Sequence, residues 1–94
     1  MNYIITDKAY DDIDKAMAFF ESRQSGLSLE FAAQVSNAIE FICRNPDTFY
    51  KVRIGLHRYF LDQFPYFMIY TIEDNKVVIM SVIDARSNHK FYRK

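Results

Sequence analysis

A chain of 94 residues makes one domain and has no room for a second. Half its residues are apolar and 26% are charged, which excludes a disordered chain. The formal net charge is zero but unevenly spread. Residues 1–50 carry four basic and eight acidic side chains, and residues 51–94 carry eight basic and four acidic, so the halves differ in sign.

Tyr3-Ile4-Ile5 is short and β-prone and reads as an opening strand. Thr6 suits an N-cap, with Asp7 placed where a negative charge favours the helix dipole. A helix is expected to about Gln24. Its buried stripe is Ile13, Met17 and Phe20, with Tyr10 one turn earlier, and Asp11, Asp12, Asp14, Lys15 and Glu21 face water. Gly26 can end this helix in a left-handed conformation, and Ser28 can cap the next. The second helix runs from Leu29 to about Arg44 with Phe31, Val35, Ala38, Ile39 and Ile42 as its stripe, and Asn45-Pro46 stops it. So short a turn predicts an antiparallel helical hairpin.

Beyond Phe49 the period moves towards two. Lys51 to Leu56 is either a first sheet strand or an extended lead-in. His57 to Asp62 is a strand, with Tyr59 and Leu61 on one face and Arg58, Phe60 and Asp62 on the other. Pro65 cannot donate to a ladder and belongs at a turn or strand start. Two apolar strands follow, Tyr66 to Ile72 and Val77 to Ile83, joined by the tight turn Glu73-Asp74-Asn75-Lys76. The expected fold is α+β: an N-terminal strand, a two-helix hairpin and an antiparallel meander, in the order β-α-α-β-β-β. The apolar strands barely alternate, while the hairpin can cover one sheet face only. The second face is therefore expected to stay apolar and open, for a partner to cover. Asp84 to Lys94 is a polar tail containing Phe91 and Tyr92.

The lone Cys43 excludes an internal disulfide, suits a reducing compartment and reads as a core thiol. With no signal-peptide pattern and no apolar run near the roughly 20 residues of a membrane helix, the expectation is a soluble cytoplasmic protein with no membrane partner. Metal-ligand spacing, a Gly-rich phosphate loop and a nucleophile elbow are all missing from the sequence, so no cofactor or metal is expected.

Several pieces stand in a telling order: the helical hairpin ending in Asn45-Pro46, Arg58-Tyr59-Phe60-Leu61, Phe64-Pro65-Tyr66-Phe67-Met68-Ile69-Tyr70, and Ile83-Asp84-Ala85-Arg86. Together they resemble the RelE/ParE superfamily of toxins from bacterial type II toxin–antitoxin pairs, whose strands carry an FPY-x-I-x-Y run and a closing V-x-H-x-R segment. The resemblance spans nearly the whole chain. It implies a toxin neutralised by a cognate antitoxin, acting either on DNA gyrase, as ParE-like members do, or on messenger RNA in the ribosome, as RelE-like members do. Arg58 falls where RelE-like toxins carry a first sheet lysine, and Arg86 and Tyr92 resemble their arginine–tyrosine pair. Phe67 stands in the place of a second RelE arginine, Phe60 in that of another lysine, and Asp84 in that of the closing histidine.

Metal-free RNA cleavage needs a base for the 2′-hydroxyl, cations for the phosphorane-like transition state and an acid for the leaving oxygen. The catalytic candidates are Arg58 and Arg86 as phosphate-binding guanidiniums, His89 as acid or base, and Tyr92 as stacking group or proton donor. Each has a structural alternative: Arg58 pairing with Asp62 or Asp84, His89 solvated in the tail, Tyr92 docking the tail by its ring. His57 reads as structural. Three functions remain open: a toxin that binds a protein target such as gyrase, a ribosome-dependent mRNA endonuclease, and a non-toxic remnant kept as an interaction module. The oligomeric state is not legible.

Overall fold

A computed structural model describes residues 1–47, 51–53 and 55–87, leaving aside the side chains of Val52 and Arg53. His89, Tyr92 and the rest of the tail from residue 88 lie outside the described residues. The elements are β1 (Asn2–Ile5), α1 (Asp7–Arg23), α2 (Leu27–Arg44), β2 (Lys51–Arg53), β3 (Leu56–Phe60), β4 (Tyr66–Glu73) and β5 (Lys76–Asp84). They form one mixed sheet in the order β1-β5-β4-β3-β2, with β1 parallel to β5 and every other pair antiparallel. The α+β architecture expected from the sequence is present, with one strand more than the order β-α-α-β-β-β. Lys51–Arg53 settles as a short edge strand, while Leu56 belongs to β3.

Local chemistry explains the helix limits. Thr6 caps α1 by accepting the Ala9 N–H on its Oγ1 at 3.1 Å. The buried side of α1 is Ala9, Ile13, Ala16 and Phe20, with Met17 packed at its margin. Tyr10 is 54% exposed and does not belong to the stripe, because the smaller Ala9 and Ala16 let the helix approach the sheet more closely. α2 buries Phe31, Val35, Ala38, Ile39 and Ile42, the stripe its sequence predicts.

The cap between the helices is different from the expectation. Gly26, at φ 88°, is the N-cap of α2, and Ser28 lies inside the helix. The orphan N–H groups are instead served by Glu21 of α1, whose carboxylate accepts from Gly26 N–H at 3.0 Å, Ser28 N–H at 3.1 Å and Ser28 Oγ at 2.7 Å. The Gly26 backbone bond is the first cause holding this carboxyl below its ordinary value, followed by the bonds from Ser28.

The turn joining β4 to β5 places Asp74 and Asn75 at positive φ, 50° and 61°, the backbone of a hairpin turn that follows the sheet twist. β5 carries one extra residue. Tyr70 pairs with Ile79 and Ile69 with Ser81, so Met80 bulges out of the ladder. The first turns of α1 dock on that bulge. Thr6 Oγ1 donates to the Met80 carbonyl at 3.3 Å, and Asp12 Oδ2 accepts the Val82 N–H at 3.0 Å. Asp12 is thus half-buried and does two things: it accepts from the Val82 N–H, and its carboxylate pairs with exposed Lys8 at 2.7 Å.

The bulge reverses which side of β5 faces the helices. Val77 and Ile79 join the main core before it, and Val82 after it. Much of the poor alternation of this strand comes from that shift. The second sheet face is also less open than its sequence implies. Phe67, Ile69 and Ile83 are buried in a small cluster with Leu56 and Ala85 against it, and Phe60 and Ile4 remain 44% and 46% exposed.

Asp12→Ala is expected to cost about 1–3 kcal/mol by leaving the Val82 N–H without its acceptor. Asp12→Asn, which keeps an acceptor, should retain most of that stability. Urea midpoints and the exchange rate of the Val82 amide check this; equal midpoints for Asp12→Ala and the parent would remove the bond from the account of the bulge.

Candidate functional site

Of the residues singled out by sequence, Arg58 lies on β3 and Arg86 two residues past the end of β5. Arg58 pairs in register with Ile69 and stands on the helix-free face. Its guanidinium carbon lies 5.1 Å from the Phe60 ring centroid and 5.9 Å from that of Phe67, and those two rings are 5.3 Å apart. Cation–π attraction and burial of the arginine stem hold it there. The two positions at which the sequence departs from a cationic site, Phe60 and Phe67, are the surface on which Arg58 rests.

Arg86 stands elsewhere. Its Nε and Nη2 each lie 3.0 Å from one oxygen of Asp84, and its own N–H bonds Asp84 Oδ1 at 2.9 Å. This is a bidentate fork closed by a local turn. Asp84 is opposite Tyr66 in the ladder, and both line a cleft against α1 with Asp12, Lys15 and Phe19. Arg86 therefore belongs to the helix side of the sheet and Arg58 to the opposite side, and the two do not converge. His89 and Tyr92 lie outside the described residues, so their relation to either arginine is not described.

Asp84 and Arg86 act chiefly on each other, with Tyr66 coupled to the pair. The Arg86 side-chain bond is the first cause holding the Asp84 carboxyl below its ordinary value, and Asp84 in turn raises Arg86. Burial raises the Tyr66 hydroxyl, the charge of Asp84 adds to this, and Arg86 opposes it. The sequence reading names Asp84 as the stand-in for a closing histidine and as one partner open to Arg58, not as the partner of Arg86. The signal for that pairing was the Asp-x-Arg spacing after a buried strand, a pattern that favours an Asx-type turn.

His57 is structural. It is 4% exposed and stacks on Tyr70 with ring centroids 4.9 Å apart and planes 14° apart. Tyr70 donates its hydroxyl to the Pro46 carbonyl at 2.8 Å, and burial pushes its pKa up to about 12. Cys43 is half-buried against the core, and burial raises its thiol, away from a reactive thiolate. Among the described residues there is no His, Cys, Asp or Glu cluster able to hold a metal, and no helix long and apolar enough to cross a membrane.

The family model for the ParE toxin of the type II toxin–antitoxin system parDE matches residues 3–89. The chain belongs to the ParE toxin family. A solved structure described as the chromosomal ParDE TA system from P. aeruginosa shares the fold with a TM-score of 0.76 and 13% identity, covering 89% of this chain and 95% of that chain. No curated protein sequence matches it. Within the RelE/ParE superfamily, this ParE-family chain keeps the toxin fold, with Arg58 on the helix-free face and Arg86 tied to Asp84 on the other.

Asp84 should titrate below the ordinary aspartate range, and Arg86→Ala should move it upward, followed by carboxyl ¹³C shifts. The sign for stability follows. A depressed folded pKa adds stability above the unfolded value, taken as 3.8, and that share is lost as pH falls through the lower folded value. An unmoved Asp84 titration in Arg86→Ala would show that the fork does not form in solution.

Proposed function

We propose that this ParE-family chain inhibits growth by binding a protein target of gyrase type, without cleaving RNA, and that a cognate antitoxin neutralises it. The observation that carries this reading is that Arg58 rests on Phe60 and Phe67 of the helix-free face, while Arg86 is tied to Asp84, which lines the cleft against α1. Cleavage of a phosphodiester requires cations gathered on one phosphate. Arg58 is seated on two phenylalanine rings, and Arg86 has its fork filled by Asp84. Both arrangements support positioning and binding over transition-state stabilisation.

On this reading the helix-free face, with Arg58 and the half-exposed Phe60, meets the target. An arginine backed by aromatic rings is a common anchor of protein interfaces. Membership of the ParE family and the likeness to a chain titled as part of a ParDE pair support the antitoxin as partner. Arg86 is assigned to holding the end of β5.

Induced expression in a permissive bacterial host tests the reading. Filamentation with DNA-damage signalling and intact messages is expected, together with loss of supercoiling by purified gyrase when the protein is added. Arg86→Ala should stay toxic, and Arg58→Glu should lose most toxicity while remaining folded and antitoxin-bound. Rapid translation arrest with cleaved messages, abolished by Arg86→Ala, would instead establish the endonuclease and bring His89 and Tyr92 into its mechanism. A complete lack of growth defect would point to the interaction-module reading.

A further inference from the structure

The sheet has two edges, and they are treated differently. β2 carries the exposed Lys51, the kind of charged residue that blunts an edge against unwanted pairing. β1 carries nothing comparable. From Met1 to Thr6 there is no charged side chain and no proline, and β1 pairs with β5 in unbroken register. Met1, Tyr3 and Ile4 are 51%, 51% and 46% exposed, so no element of the described chain lies over this edge.

The backbone fixes what the edge offers. Thr6 N–H bonds the Ile79 carbonyl of β5 at 3.1 Å. Peptide groups alternate in direction along a strand, so Ile4 also addresses β5, while Tyr3 and Ile5 turn their N–H and C=O groups to the open side. Beside them lies an apolar groove of about 220 Å³, floored by Tyr3 and Ile5 and walled by Ile13, Ala32, Val35 and Ile39. Glu40 on its rim is exposed.

We propose that the open edge of β1 pairs antiparallel with β1 of a second copy of this chain, about a two-fold axis at Ile4. The direction of the backbone groups allows that register, and it is the one in which both open-side residues, Tyr3 and Ile5, pair with each other. Tyr3 faces Ile5 of the second copy, each exchanging N–H and C=O bonds, and the two-fold repeats the set. An aromatic ring then meets a β-branched side chain above the groove, a favourable cross-strand pair. Ile4 meets its own equivalent on the helix-free face. Self-pairing brings every residue of the edge against the same neutral strand, so no like charges are opposed. Along β1 itself a charged partner strand finds no side chain of opposite charge; Glu40 stands on the groove rim and not in the strand. The strand is short, so association is concentration-dependent.

Sedimentation velocity of the full chain over a range of concentrations tests the proposal, whichever target the toxin has. A monomer–dimer equilibrium is expected. Tyr3→Pro removes an N–H that faces the open side and leaves the bonds to β5, and Ile4→Lys sets like charges across the axis. Both should lose the dimer while circular dichroism stays unchanged. The parent protein supplies an independent reading: exchange of the Tyr3 and Ile5 amides should slow as concentration rises, and that of Ile4 should not change. A parent that stays monomeric at every concentration overturns the proposal. So does a dimer that persists in both folded variants, which locates the contact elsewhere. Amide protection that appears only on adding the antitoxin assigns the edge to the antitoxin.

Discussion

Four aromatic rings clamp the helical hairpin to the sheet. Phe20 of α1 and Phe31 of α2 meet Phe64 and Tyr66, at the entry to β4, with ring centroids 4.8–5.7 Å apart. Most are edge-to-face contacts, the geometry that aromatic quadrupoles favour, each adding about 0.5–1.5 kcal/mol beyond the area it buries. The clamp joins both helices and the central strand in one place. It thereby decides which face of the sheet is roofed, and so which residues of β3 and β4 are left for other molecules.

The bulge at Met80 is the second constraint. One extra residue in β5 exchanges the two faces for everything downstream. Val82 returns to the core, Ile83 joins Phe67 on the helix-free side, and Asp84 turns towards Tyr66 and α1. Thr6 and Asp12, both from the first turns of α1, bond the bulged segment. Helix capping, bulge geometry and the position of Arg86 are thus one connected arrangement.

The fold is a scaffold on which different target chemistries can be carried, so activity is argued from the site. Here the helix-free face combines a ring-backed guanidinium with buried Phe67 and half-exposed Phe60. That composition fits adhesion to a protein surface. The ion pair of Asp84 with Arg86, at the end of β5, is partly exposed, and its fork is closed by its own two partners. Local neutralisation of this kind leaves little net field to hold a phosphate.

The sequence by itself determined the elements whose causes are local. Thr6, Gly26 and Asn45-Pro46 mark the helix limits because capping and proline sterics act within a turn. The α2 stripe follows from the 3.6-residue period, and the Asp74-Asn75 turn from the short polar break between two β-prone runs. Only the tertiary structure decided the rest. Tyr10 lost its place to two alanines because packing distance, not period, chose the buried side. Glu21 replaced Ser28 as the cap because a neighbouring helix brought a carboxylate to the same orphan amides. Arg58 and Arg86 were separated by a bulge that no alternation pattern reveals, since side-chain direction along a strand holds only while the ladder keeps its count. That count is set by the partner strand and by the helix that bonds the released N–H, both distant in sequence.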